Sequence, residues 1–323
     1  MLSIEEIKEE IINRIDMYDS HELSIQKHQI IKCKNYKELL NYLFAYNEHK
    51  DAISYIVSDR LSKQIFNSDI LNKWFDEKFL IKNHIYTHGE HKVYGGYKYI
   101  FAIATSVIEV SNEAEVFGFQ NATINLTQKS SLYANDKCSF IAYDKSNVYV
   151  EKFSSCRGVL KDYSFCENFS DNTILDCKDH SYTKCYNSSN VDVYDYATVE
   201  AYDHSKVIIF SGTPKITLFN YSFCHSLTAN ADITSKNFSN VIIEYCHNYK
   251  TPCEICGTIT AQDNSSVRIL NNTKNITVKD NAVIMDYTDS HTHTKDKSVI
   301  IWMNKFKTWF NELKPNEKFS FID

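Results

Sequence analysis

Between Leu175 and Lys206 an eight-residue unit repeats four times without a break: LDCKDHSY, TKCYNSSN, VDVYDYAT, VEAYDHSK. A second run, Ile100 to Ser155, holds seven more units. Position 1 of the unit is apolar, as at Ile100, Ile108, Val116 and Ile124, and position 3 is apolar or small, as at Ala102, Val110 and Leu126. Position 5 is polar, with Asn112, Gln120, Asp136, Asp144, Asp195 and Asp203, and position 7 is small, as at Ser106, Ala114, Ser130 and Cys138. Apolar residues two apart mark a strand, because successive side chains point to opposite faces. Asp and Asn supply turns by bonding nearby backbone. A small residue suits a corner where two backbones approach.

One short strand and turn cannot bury its own apolar face. Stacked units can, and stacking is the logic of a solenoid. The expected class is α+β, with a parallel β-solenoid at its centre. A helical N-terminal domain spans residues 1–82, a junction 83–98, the octad solenoid 99–290 and a C-terminal capping helix 297–314. The register slips near Cys156 to Ser164, at Val207 to Lys215 and at Asn275, and the longest insertion is Tyr249 to Gly257. Two octads per coil make a flat solenoid and three make a triangular one. The small inward residues favour two, since Ala, Val and Ser fill a wide core poorly. The recurrence of Asp179-His180-Ser181 as Asp203-His204-Ser205, three octads on, favours three.

The flanks read differently. Ser3-x-x-Glu6 is a capping box ahead of Ile4, Ile7, Ile11 and Ile15 on one helical face. Apolar stripes follow through Leu39, Leu40, Leu43 and Phe44, then Ile53, Ile56 and Leu61. Asn67 or Ser68 caps a helix carrying Ile70, Leu71, Trp74 and Phe75. These helices would cover the solenoid's exposed first coil, an open sheet edge, and offer partner contacts. Val299, Trp302, Met303, Phe306, Phe310 and Leu313 fall at helical spacing before Pro315, as a lid over the last coil.

Composition narrows the function. No segment of the 323 residues approaches the roughly 18 apolar residues of a membrane span. The opening MLSIEEIKEEIINRID reads as a charged helix and not as an export signal. A cytoplasmic location is the expectation, with the ten cysteines reduced and buried as small apolar side chains. The Asn-x-Ser/Thr triplets follow from the repeat's turn and small corner residue. A net charge of −6 repels nucleic acid on average but is too mild for a dedicated DNA mimic.

Ala197-Thr198-Val199-Glu200-Ala201-Tyr202-Asp203 closely resembles the ATVEAYD-like octads of octapeptide-repeat β-solenoid proteins of bacteria and phages. The resemblance covers about 190 residues and is specific for fold. It implies a prokaryotic or phage source, hence the cytoplasm of a bacterial host. It carries no catalytic residues to transfer.

Three groups fall outside the repeat's own needs. Cys246, His247, Cys253 and Cys256 in the longest insertion could hold zinc, the one cofactor the sequence suggests, or be reduced cysteines around a turn. His84, His88, Glu90 and His91 lie at the junction and suit metal binding or acid–base work, or form a polar linker. Tyr186, Tyr194, Tyr202 and Phe210 occupy outward position 4. They form one ladder, or two if alternate octads face opposite ways. Such rings can grip a protein, a sugar chain or unpaired bases, or stabilise the sheet by stacking on each other. His291-x-His293 is a weaker motif.

No phosphate loop, nucleophile elbow or dinucleotide fingerprint is present. The leading expectation is a non-catalytic cytosolic interaction protein with a protein or protein–nucleic-acid partner and no membrane contact. Its most concrete form is a phage or mobile-element inhibitor of host defence machinery. The alternatives are a β-helix enzyme acting on a glycan or nucleotide, and a self-assembling structural protein. The oligomeric state is left open.

Overall fold

The computed structural model describes residues 3–17, 21–45, 67–94, 99–152, 154–228, 230–244, 257–270, 276–287, 292–294 and 298–302. The chain divides into two compact units, Met1–Gly158 and Val159–Asp323. Each contains two parallel sheets of a β-solenoid, joined alternately by tight turns.

In the first unit, sheet A runs β1 (Ile85–Tyr86), β3 (Ile100–Ala102), β5 (Glu115–Gly118), β7 (Ser131–Ala134) and β9 (Asn147–Val150). Sheet B runs β2 (Glu90–Val93), β4 (Val107–Val110), β6 (Thr123–Leu126) and β8 (Ser139–Ala142). The division point lies within β10 (Arg157–Leu160). In the second unit, sheet A holds β11 (Phe165–Asn168), β13 (Tyr182–Cys185), β15 (Thr198–Ala201), β17 (Lys215–Leu218), β19 (Asp232–Ser235), β21 (Ile259–Ala261), β23 (Ile276–Val278) and β25 (Thr292–Thr294). Sheet B holds β12 (Ile174–Cys177), β14 (Asn190–Val193), β16 (Lys206–Ile209), β18 (Phe223–Ser226), β20 (Asn240–Ile243), β22 (Ser266–Ile269), β24 (Val283–Asp286) and β26 (Val299–Trp302).

Two octads make one coil. Ile100 pairs with Val116, Ile124 with Phe140 and Val191 with Val207. The three-octad form is thereby excluded. Asp179 precedes a strand of sheet A and Asp203 a strand of sheet B, so the matching tripeptides sit on opposite corners. The slips add residues at turns and leave strands in register: Thr198 pairs with Lys215, and across the long insertion Asn240 pairs with Ser266.

The unit's positions explain the coil. Inward positions 1, 3 and 7 are buried in the coils between the first and the last, as at Leu175, Cys177, Ser181, Val199 and Ala201. Position 5 is left-handed, with φ of 57° at Asp136, 54° at Asp195 and 57° at Asp203. That region costs an ordinary L-residue about 1–2 kcal/mol, whereas Asp and Asn enter it readily. The position-7 hydroxyl donates to the position-4 carbonyl, at 2.7 Å from Ser146 to Tyr143 and from Ser205 to Tyr202.

The position-5 carboxylate accepts the backbone N–H of the position-5 residue one coil earlier. Gln128 N–H donates to Asp144 at 2.8 Å, Asn187 to Asp203 at 3.2 Å and Asp263 to Asp280 at 3.2 Å. The aspartates thus satisfy donors at the strand ends. Seven described cysteines are buried free thiols. Burial pushes the Cys177 thiol up to about 12, which keeps it protonated and inert.

Helices α1 (Ile4–Met17), α2 (His21–Lys32), α3 (Tyr36–Ala45), α4 (Ser68–Trp74) and α5 (Glu77–Lys82) belong to the first unit. Ser3 and Glu6 close the expected capping box, with the Ser3 N–H donating to Glu6 at 2.6 Å and the Glu6 N–H to Ser3 at 3.2 Å. Asn67 caps α4 and Asp76 caps α5. Ile7, Ile11, Leu39 and Leu40 share one buried cluster with Phe101, Phe117 and Phe119 of the outer face of sheet A. Helices and first coils are therefore one compact unit, and the division falls after Gly158 instead of at residue 82. Ile15, Leu43, Phe44 and the stripe through Ile53, Ile56 and Leu61 carry no described side chains.

Two boundaries shift. The solenoid begins inside the expected junction, since β1 pairs with β3 and β2 with β4. That first coil lacks the octad signature and even carries His91 at inward position 1, in register with Ile108. At the other end, Val299–Trp302 is a strand paired with β24, in place of the start of a helix at 297. VIIW is β-branched and aromatic, and a short apolar run does not reveal its period. The remainder of that expected helix lies outside the described residues.

Candidate interaction surface

Outward side chains come from positions 8, 2 and 4, with position 6 at each corner. In the second unit these positions assemble aromatic rows, because each coil sets its position directly over the same position of the next. On sheet A, position 4 gives Phe169, Tyr186, Tyr202 and Phe219. Their ring centroids are 4.9, 4.9 and 4.6 Å apart and their planes within 12° of parallel. The spacing is that of neighbouring strands. The Lys236 ammonium closes the row 5.2 Å from the Phe219 ring.

The expected row Tyr186, Tyr194, Tyr202, Phe210 therefore divides between two faces. Tyr186 and Tyr202 stack on sheet A, while Tyr194 and Phe210 stack 5.3 Å apart on sheet B. Phe169 and Phe219 complete the row from outside the unbroken run Leu175 to Lys206, with Phe219 at position 4 of the octad that resumes at Ile216. Position 6 supplies two further rows at the corners. Tyr163, His180 and Tyr196 stack at 5.3 and 5.2 Å, and His204, Tyr221 and Phe238 at 5.4 Å each. Tyr163 and Tyr196 are 63% and 61% exposed, whereas Tyr186 and Tyr202 are half-buried. The corner rows were legible in the octads, since Tyr196 and His180 are both position 6.

This stacking decides what the rings can do. Their faces are taken by each other, so a nucleobase or sugar finds no open platform along a row. Edges and hydroxyls point outward. Tyr186 donates to Glu167 at 3.3 Å and Tyr202 to Glu200 at 2.8 Å. Burial, with Glu200 adding, raises the Tyr202 phenol to about 12. Burial likewise raises Tyr186, with Glu167 adding. Both phenols stay protonated and spend that hydrogen inside the face, leaving acceptor lone pairs toward solvent. The result is rigid, aromatic and hydrogen-bonding, the chemistry enriched at protein interfaces.

Of the four junction residues, His88, Glu90 and His91 line one recess, and His84 does not. His84 lies in a left-handed turn after α5. His88 accepts or donates at Nδ1 with the Thr87 hydroxyl at 3.0 Å, and its Nε2 is 4.0 Å from Glu77. His91 Nε2 is bonded to the His88 carbonyl at 2.8 Å, and its ring packs 4.4 Å from Tyr86. Glu90 is exposed. The recess, of about 380 Å³, is walled by Phe75, Leu80 and Tyr86. Among the described residues no group of three His, Cys, Asp or Glu is placed to hold a metal. Cys246, His247, Cys253, Cys256 and His291 lie outside the described residues, and for His293 only the backbone, in β25, is described.

Sheet B holds one carboxylate pair that the octads concealed. Asp176 and Asp192 are register partners on its outer face. Partial burial raises the Asp192 pKa and Asp176 adds to it, while Lys206 opposes the rise. Among the described residues no helix is long and apolar enough to cross a membrane. No protein-family model, curated protein or solved structure matches the chain.

Proposed function

We propose that the protein is a non-catalytic interaction protein that docks a protein partner on the second unit. The docking surface is the outer face of sheet A with its two corner rows. One observation carries this reading: outward aromatic rows stand on a rigid sheet, and no described residue of that unit covers them as helices cover Phe117 and Phe119 in the first. The turn aspartates, which would be candidates for acid–base work, are instead engaged with backbone N–H groups. Together with the octad resemblance, the concrete form of the reading is a phage or mobile-element protein that occupies a host protein.

Tagged protein purified from a bacterium that also expresses an untagged copy tests it. A stoichiometric protein partner, host or self, is expected. Tyr186→Arg with Tyr202→Arg should lose it, whereas Tyr94→Arg in the first unit should keep it. Isolation of the chain alone, or a partner retained by the double variant, overturns the reading.

A further inference from the structure

The outer face of sheet A in the second unit changes character halfway along. Position 4 is aromatic as far as Phe219, then becomes Lys236, Gln262 and Lys279. Position 2 runs Glu167, Lys184 and Glu200, then Thr217, Thr234, Thr260 and Thr277. Position 4 changes between β17 and β19, where Lys215 and Asp232 are register partners at position 8, and position 2 changes one strand earlier, between β15 and β17.

We propose that this face is a homodimer interface. A second copy docks on it about a two-fold axis parallel to the strands and lying between β17 and β19. This names the occupant of the docking face proposed above and rests on that reading. Such an axis keeps every position in its own column and reverses the strand order, so each half of the face meets the other half. Lys215 then opposes Asp232 of the second copy, and the pair occurs twice. Tyr202 opposes Gln262, and Tyr186 opposes Lys279.

The matches are chemical as well as geometric. Tyr186 and Tyr202 donate their hydrogens to Glu167 and Glu200, so their oxygens present acceptors. Gln262 and Lys279 bring donors to them. Glu200 meets Thr260 and Lys184 meets Thr277, so no two like charges are opposed. The area is in range. Eight strands at about 4.8 Å spacing and about 16 Å width give on the order of 600 Å² of flat face per copy before side-chain relief. A standard interface buries about 800 Å² of accessible surface per partner. The corner rows stay at the margin, open to a partner other than self.

Sedimentation velocity on the full chain tests the proposal. The wild type is expected to be a dimer. Lys215→Glu places a carboxylate against Asp232, and Asp232→Lys places an ammonium against Lys215. Each alone should raise the dissociation constant roughly 100-fold, because like charges juxtaposed at an interface are strongly disfavoured. An equimolar mixture of the two variants should dimerise again, since both cross-pairs are then opposite in sign. Asp232 also accepts from the Thr258 N–H at 2.8 Å. Lys279→Glu therefore serves as an independent weakening variant, with circular dichroism to verify folding.

Chains bearing Tyr202→Cys and Gln262→Cys should be joined by a short bis-maleimide spanning about 8 Å when mixed, beyond the wild-type background, and neither should alone, since facing sheets stack about 10 Å apart and leave opposed cysteines too distant for a direct disulfide. A monomeric wild type overturns the proposal. So does a dimer that Lys215→Glu and Lys279→Glu leave unmoved. If that monomer still binds a foreign protein that Tyr186→Arg with Tyr202→Arg loses, the dimer falls and the docking reading stands.

Discussion

Phe119 in the first unit and Tyr202 in the second both occupy position 4 of sheet A, on strands built from the same octad. Phe119 is fully buried beneath helices that contribute Ile7, Ile11, Leu39 and Leu40 to its cluster. Tyr202 is half-buried, stacked between Tyr186 and Phe219, with its hydroxyl on Glu200. The coil does not dictate the fate of its outward positions. Inward positions are fixed by neighbours of the same kind one coil away, whereas an outward column can receive a foreign layer or remain a surface. In the first unit the column was given to the chain's own helices and became core. In the second its residues turned to tyrosine, glutamate and lysine, which suit a surface that is wetted part of the time.

The largest expected effect separates these two fates. Phe119→Ala removes a large ring from a closed cluster and should cost about 3–5 kcal/mol in unfolding free energy. Tyr202→Ala removes one member of an open stack and one hydrogen bond. It should cost about 1–2 kcal/mol, from the lost stacking and the lost bond. Urea unfolding followed by circular dichroism measures both. Equal losses would mean that the stacked row is as much core as the covered one, and would weaken its reading as a docking face.

Alkaline titration sharpens the same contrast. Burial and Glu200 hold the Tyr202 phenol at about 12 in the folded chain, against about 10 for an unperturbed tyrosine. Below about pH 10 the phenol is neutral in both states and its contribution to stability is complete. Between about 10 and 12 the unfolded chain loses the proton first, so stability falls as pH rises through that window. Glu200→Gln should lower the Tyr202 pKa, read as the difference in phenolate absorbance between each chain and its Tyr202→Phe counterpart, because the other tyrosines dominate the total signal. A Tyr202 difference curve unmoved by Glu200→Gln would show that the glutamate contributes nothing to the shift.

Much of this was legible in the octads. The inward positions, the polar turn at position 5 and the small corner at position 7 all fall where the repeat puts them, because each depends on contacts within one coil or the next. The outward partners were not legible. Nothing in Phe117 or Phe119 announces a helix more than sixty residues away in sequence, and nothing in Tyr186 alone announces that Phe169 completes its stack across a slipped register. His91 sits at an inward position of the first coil, where a neighbouring recess replaces the usual apolar neighbour. The carboxylate pair Asp176 and Asp192 depends on coil length, which two conflicting sequence signals left open until the strands were paired.

The smallest effect concerns the feature both units share. Gln128 stands at position 5 with φ of 59°, exposed, where most coils of either unit place Asp or Asn. Its backbone N–H already donates to Asp144 at 2.8 Å, so the hydrogen bond that defines the turn is made whichever side chain it carries. What Gln lacks is the ease with which Asn enters the left-handed region. Gln128→Asn should therefore raise the unfolding free energy by about 0.5–1 kcal/mol, seen as a small rise in Tm, without changing any packed residue. The same exchange at the half-buried Gln120, whose N–H donates to Asp136 at 3.3 Å, should gain less, because there the longer side chain also contributes packing. A gain at Gln128 that matches the gain at Gln120, both in the first unit, would show that the turn acts independently of its surroundings.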